Sequence, residues 1–130
     1  MFGSPSRYGK PGARYRDVHV SARIEGASPH GLIMILFEEL LTGLDTLRAA
    51  ERSGESARHA VVQSRVVSIL HGLEAGLDHQ RGGEIAASLN RIYKEARRLV
   101  AVPSGPDRAA ALDQARAMVG DIAGAWASIA

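Results

Sequence analysis

Residues 28–54, SPHGLIMILFEELLTGLDTLRAAERSG, decide how the rest of this 130-residue chain reads. Ser28 stands where a helix N-cap belongs, and Pro29 occupies the first helical position, where its missing N–H is no loss. Ser53-Gly54 supplies a left-handed stop. Between them Leu32, Ile33, Leu36, Phe37, Leu40, Leu44 and Leu47 recur at three- and four-residue steps, which makes an amphipathic helix of about seven turns. At roughly 100° per residue, the apolar arc from Leu32 round to Leu41 and Met34 covers about 200°, where a surface helix needs only about 100°. Two readings fit the surplus: this is the central helix of its own bundle, or it contacts something outside that bundle.

Working outward, residues 55–56 lead into a second helical stretch over 57–80. There Val62, Val66, Ile69, Leu70, Leu73 and Leu77 form a stripe of ordinary width, about 100°. Arg81-Gly82-Gly83 reads as the tight connection that follows, with Glu84 opening a third helix. Ile85, Leu89, Ile92, Ala96 and Leu99 make a heptad-like seam there, flanked by Tyr93 and Val100. Val102-Pro103-Ser104-Gly105-Pro106 is the strongest breaker in the chain. Asp107 is placed to cap a fourth helix, whose stripe is Leu112, Ala115, Val119, Ile122, Trp126 and Ile129, with Met118 beside it. Four amphipathic helices with short connections predict an all-α, antiparallel up-down-up-down four-helix bundle.

On the other side, residues 1–13 are rich in Gly, Pro and Ser and read as a flexible lead-in, so the expected domain is 14–130. Over 14–24, Tyr15, Val18, Ala22 and Ile24 could line one side of a short helical or extended cap, and Gly26 ends it. Charge is uneven. Residues 1–27 carry five basic and two acidic side chains, net +3, and the remaining 103 carry 11 basic and 12 acidic, net −1. The basic balance therefore belongs to the tail.

There is no cysteine, which excludes disulfides and thiolate chemistry. No apolar run approaches a membrane span and the N-terminus lacks the apolar core of a secretory signal, so a cytoplasmic protein with no membrane insertion is expected. Helical bundles can hold two metal ions through Glu-x-x-His pairs, but no Glu here has a His three residues on. Glu55 and His59 are spaced i, i+4 at a helix start and read as a surface contact. No phosphate-binding or metalloprotease motif is present. We expect no enzyme, no catalytic residue, no metal and no cofactor. One competing reading is a small helical nucleic-acid-binding regulator that uses the basic tail and the face made by Arg91, Lys94, Arg97 and Arg98; the net −1 of the folded part opposes it.

Two blocks then stand out. Ala27-Ser28-Pro29-His30-Gly31-Leu32-Ile33-Met34-Ile35-Leu36-Phe37-Glu38-Glu39 resembles the Ala-Ser-Pro, Leu-Ile and Met-Leu-Tyr/Phe series of the FliS family of flagellar secretion chaperones. Leu77-Asp78, Gly82-Gly83-Glu84-Ile85-Ala86, Ile92-Tyr93 and Arg98-Leu99 are similar to the same family's second block. Trp126 near the C-terminus and Tyr15 ahead of the Ala-Ser-Pro box also match. The likeness runs in order over residues 14–130.

The resemblance implies a non-enzymatic cytoplasmic chaperone that binds the disordered C-terminal segment of flagellin, prevents premature polymerisation and aids delivery to the flagellar type III export apparatus. A wide apolar helix face suits that role, because helix-in-groove recognition needs an apolar strip left over after packing. Met34 and Leu41 lie at one edge of the arc, past Phe37, and Leu32 at the other. These four, with Tyr15 on a lid that covers the groove, are the expected partner-binding residues. Ser28, Pro29, Gly82, Gly83, Glu84, Tyr93 and Trp126 are the expected structural motif. Nucleic acid is not expected as a partner; a weak homodimer is compatible with the same strip.

Overall fold

The computed structural model describes residues 19–129. They contain no strand: a helical segment over 19–25 precedes α1 (Pro29–Ser53), α2 (Ser56–Ala75), α3 (His79–Val100) and α4 (Arg108–Ser128). The chain divides into two compact units inside α1, one up to Ile35 and one from Leu36 onward.

In the first unit, the segment over 19–25 ends at Gly26, whose amide donates to the Ala22 carbonyl at 3.3 Å. Val20 and Arg23 are its less exposed residues, whereas Ala22 and Ile24 are exposed, so the expected stripe through Ala22 and Ile24 is not the sheltered side. Tyr15 and Val18 lie outside the described residues. Ser28 caps α1 as expected: the Gly31 amide donates to its Oγ at 3.0 Å, and Pro29 is the first helical residue.

In the second unit, antiparallel order follows from the side chains that cross between helices. Glu39 on α1 meets Arg65 on α2, and Gln63 Nε2 donates to the Val100 carbonyl on α3 at 2.8 Å. Glu74 takes both arms of the Arg97 guanidinium at 3.1 Å, tying α2 to α3. Helix α3 packs on α4. The circuit closes through a ladder between α1 and α4: Asp45–Arg116 at 3.0 Å, Arg48–Asp113 at 2.9 Å and Glu51–Arg108 at 3.5 Å. The sign alternates from rung to rung. Sliding α4 by one rung would set like charges against each other, so the ladder specifies register more than it supplies energy. Inside the circuit, Phe37, Leu40, Leu44, Leu47, Val66, Leu70, Val100, Leu112 and Val119 are at most 1% exposed. This is the four-helix bundle that the apolar periodicity predicts.

Helix ends show where local chemistry differs from the sequence reading. Gly54 stops α1 with φ 75°, and the amides of Gly54 and Glu55 both reach the Ala50 carbonyl. The α2–α3 connection is not Arg81-Gly82-Gly83. Helix α2 ends at Ala75, and Asp78 caps α3 by accepting from the Arg81 amide at 3.0 Å, so Gly82 and Gly83 lie inside α3. Gly83 holds φ 50°, ψ −122°, a kink in α3 that favours a residue without Cβ. Asp107 stands at the N-cap of α4 but makes no capping bond, because its own backbone is already helical (φ −91°, ψ −14°) and the carboxylate is not presented to the first turn.

Candidate functional site

The apolar arc of α1 resolves into two kinds of residue. Leu40, Leu44 and Leu47 at its centre are 0–1% exposed, whereas Leu32, Met34 and Leu41 are half-buried. Phe37 is 1% exposed: its ring belongs to the core and is not offered to a partner in this form. Ile33, at the centre of the arc between Leu40 and Leu44 and expected in the core with them, is only half-buried, as is Leu36, so the wide arc is not uniformly covered. Ile35, about half a turn away from Leu44, is buried at 4%, so α1 shelters a residue on its opposite face as well.

The α1–α4 ladder fixes what stands beside Leu41. Asp45 is opposite Arg116. One turn further, at the same antiparallel register, Leu41 comes level with Gly120, and Phe37 with Gly124. Gly124 is exposed, and a Cβ there would meet nothing within 4 Å among the described residues. At Gly120 the Arg116 guanidinium would lie 3.0 Å from such a Cβ. Half of this seam is thus stitched by ion pairs, and in the other half Leu41 and Phe37 stand level with glycines of α4. Met118, Ile122 and Trp126 on α4 are half-buried around it. Thr42 and Thr46 turn their hydroxyls back onto the Glu38 and Thr42 carbonyls at 2.9 Å, so the polar rim of α1 is satisfied within the helix.

The motif residues of the second block have structural places. Tyr93 is 3% exposed, and burial pushes its phenol up to about 12. Glu84 is exposed. Gly82 has no room for more: a Cβ would stand 2.8 Å from that of Ala86. Ile85, expected in the α3 seam, is 73% exposed instead, because it lies at the kinked start of α3 and at the end of the bundle, where the core has run out. On the basic face, Arg97 is bound to Glu74, Arg98 to Glu95 and Arg91 to Ser88. Three of the four cations that a nucleic-acid surface would need are thus engaged within the protein.

Sequence reasoning missed one polar cluster. His59 is not a surface partner of Glu55; it is 5% exposed and lies under Arg108, while Glu55 takes a bond from Ser53 Oγ. The only signal was an arginine placed directly after the Pro-Ser-Gly-Pro-Asp breaker. Among the described residues no three His, Asp or Glu side chains gather as metal ligands would, and no helix is long and apolar enough to cross a membrane.

A small helical scaffold with one partly open apolar seam is the class that this architecture defines. The family model described as flagellar protein FliS matches residues 12–130, and the chain belongs to the FliS family. It is 32% identical over 116 residues to the flagellar secretion chaperone FliS of Salmonella typhimurium, covering 88% of this chain and 86% of that one. It is 30% identical over 117 residues to the flagellar secretion chaperone FliSB of Pseudomonas aeruginosa, covering 89% and 92%. The flagellar secretion chaperone FliS of Vibrio cholerae is 24% identical over 115 residues, covering 88% and 85%.

Proposed function

We propose that this protein is a cytoplasmic, non-enzymatic export chaperone that holds the disordered C-terminal segment of flagellin along the open part of the α1–α4 seam. It keeps that segment from polymerising and brings it to the flagellar type III export apparatus. The observation that carries the reading is the contrast within one helix: Leu40 and Leu44 are sealed, while Leu41 is only half-buried, level with Gly120 of α4. A glycine in an exposed helix interior costs about 1 kcal/mol relative to alanine. Close approach of another backbone is a physical reason to keep one. Leu41 supplies apolar contact on the α1 side; Met34 is assigned to the same partner by its place at the edge of the apolar arc, and a thioether chain repacks easily around a partner that must later leave. Tyr15 and Leu32 are assigned to the same partner by the resemblance and by the position of Leu32 at the far edge of the arc.

A segment that folds on binding loses roughly 2–5 kcal/mol to ordering and buries on the order of 1,000–3,000 Å². Titrating the full chain with a flagellin C-terminal fragment should therefore give saturable binding and a gain of helical circular dichroism beyond the sum of the parts. A flagellin fragment lacking the C-terminal segment should give neither. Equal binding of both fragments would point to a non-specific apolar surface. A concentration-dependent dimer that excludes the fragment would assign the seam to self-association.

A further inference from the structure

At the end of the bundle away from Ile85, the α1–α2 turn meets the connection between α3 and α4. There Arg108 Nη1 lies 3.1 Å from His59 Nε2 and 3.4 Å from Nδ1. An atom hydrogen-bonded in the ring plane to one nitrogen would stand much farther from the other. The near-equal distances place the guanidinium over the face of the imidazole, stacked on it. The same arginine donates from Nε to the Val102 carbonyl at 2.9 Å and sits 3.5 Å from Glu51. One side chain thus ties α4 and the preceding connection to α1 and α2.

We propose that this cluster is a proton-operated latch. With His59 neutral, Arg108 rests on the ring and fastens this end of the bundle; protonation of His59 expels the guanidinium and opens this end alone. The charged groups that face the ring are Glu51 from α1, Glu55 from the turn and Arg108 from α4. They line a cavity of about 80 Å³ together with Ser56 and Ser104, and no α3 residue lines it. An imidazolium and a guanidinium stacked in a 5%-exposed site repel each other at short range. Glu51 and Glu55 remain to accept the imidazolium, so Arg108 is the partner that must go. Its departure breaks the bond to Val102 and frees the connection. The cavity leaves room for the carboxylate and water to regroup around the charged ring.

The direction of the titration agrees. Burial, and then Arg108, hold the imidazole below its ordinary 6.5, and Glu51 opposes them. The unfolded chain therefore takes up its proton first. The stability that neutral His59 contributes is complete above 6.5 and is lost as pH falls from there towards the depressed folded value.

The test is imidazole titration by NMR on the full chain, with amide hydrogen exchange followed at both ends of the bundle between about pH 7.5 and about pH 5.5, the range where histidine changes charge. His59 should titrate below 6.5. Exchange, expressed relative to the intrinsic amide rate at each pH, should accelerate around 50–60 and 101–108 and stay unchanged around 70–90. In His59→Gln, which keeps a polar group but cannot charge, the acid acceleration at the latch should vanish. Glu51→Gln, which removes the opposing carboxylate, should lower the His59 titration further. A His59 that titrates at or above 6.5 overturns the proposal. So does equal acceleration at both ends, or an acid response that survives in His59→Gln. If that variant does not fold, the wild-type titration and the two-ended exchange comparison still decide.

Discussion

The α1–α4 seam has two halves built to opposite rules. From Asp45 to Glu51 on α1 and from Arg108 to Arg116 on α4, alternating charges cross the gap at 2.9 to 3.5 Å. From Leu36 to Leu41 the ion pair that α1 makes is with α2, Glu39 to Arg65, and at the ladder's register Leu41 stands level with Gly120 and Phe37 with Gly124. Both halves belong to the same two helices and share the same buried centre, so neither fold nor propensity explains the difference. A zipped half fixes register, and that register keeps the other half aligned while it stays open. The α1–α2 seam is a useful contrast, because it too contains a glycine. There Gly43 approaches α2 so closely that a Cβ would stand 2.6 Å from Val66 Cγ2. One glycine makes room for a neighbour already in place. At the other, Gly124, no described residue lies within 4 Å of where a Cβ would stand.

The largest effect should come from the centre that both halves share. Leu40 is 0% exposed, so Leu40→Ala should lower unfolding free energy by about 2–5 kcal/mol in a urea titration. A loss of only a few tenths would mean that the centre is not load-sharing and that the contrast between sealed and open positions is false.

Next come the two glycines, which should respond in opposite directions. Gly43→Ala should destabilise by about 1–3 kcal/mol, because the methyl has to displace Val66. Gly124→Ala should stabilise by up to about 1 kcal/mol, since it gains helix propensity and meets nothing. Thermal melts of the two variants, run side by side, check this; the same sign at both positions would erase the distinction between a filled and an open seam.

The smallest effect belongs to the ladder. Asp45 and Arg116 are both largely exposed, so Asp45→Arg should cost less than about 1 kcal/mol. Adding Arg116→Asp should restore most of that loss, as a double-mutant cycle would show. A cost with no restoration would mean that the rungs do not pair as described.

Much of the bundle was legible because it depends on short-range rules. The Ser28 cap, the Gly54 stop and the Val66, Leu70 and Leu73 stripe each need only a few neighbouring residues to be read. Errors came where two local signals competed. Gly82-Gly83 looked like a turn, but Asp78 had already capped α3, and the glycine pair became a kink inside it. That kink, and the end of the bundle, left Ile85 outside the core although its spacing matched the seam. Periodicity measures one helix at a time, so it could place residues on the wide α1 face but not tell that Ile33, at its centre, stays half-buried. The stripe also leaves out Ile35, which is buried, since a wheel recognises a single buried side. The His59–Arg108 contact spans 49 residues of sequence, and no pattern along the chain encodes it. Leu41 could be placed at an edge of the arc from sequence; the glycine level with it required the register of α4.

The central claim is that this open half receives the partner. The measurement that tests it most directly is titration of a flagellin C-terminal fragment into wild type and into the double variant Met34→Glu, Leu41→Glu, with helical circular dichroism and melting recorded on the same samples. Gly124→Leu serves as a second variant that adds apolar bulk from α4, at a position where no described residue lies within 4 Å of an added Cβ. The account predicts folded proteins whose affinity for the fragment is weaker by at least about tenfold, or roughly 1.4 kcal/mol, in both variants. Folded variants that bind the fragment as tightly as wild type would contradict it.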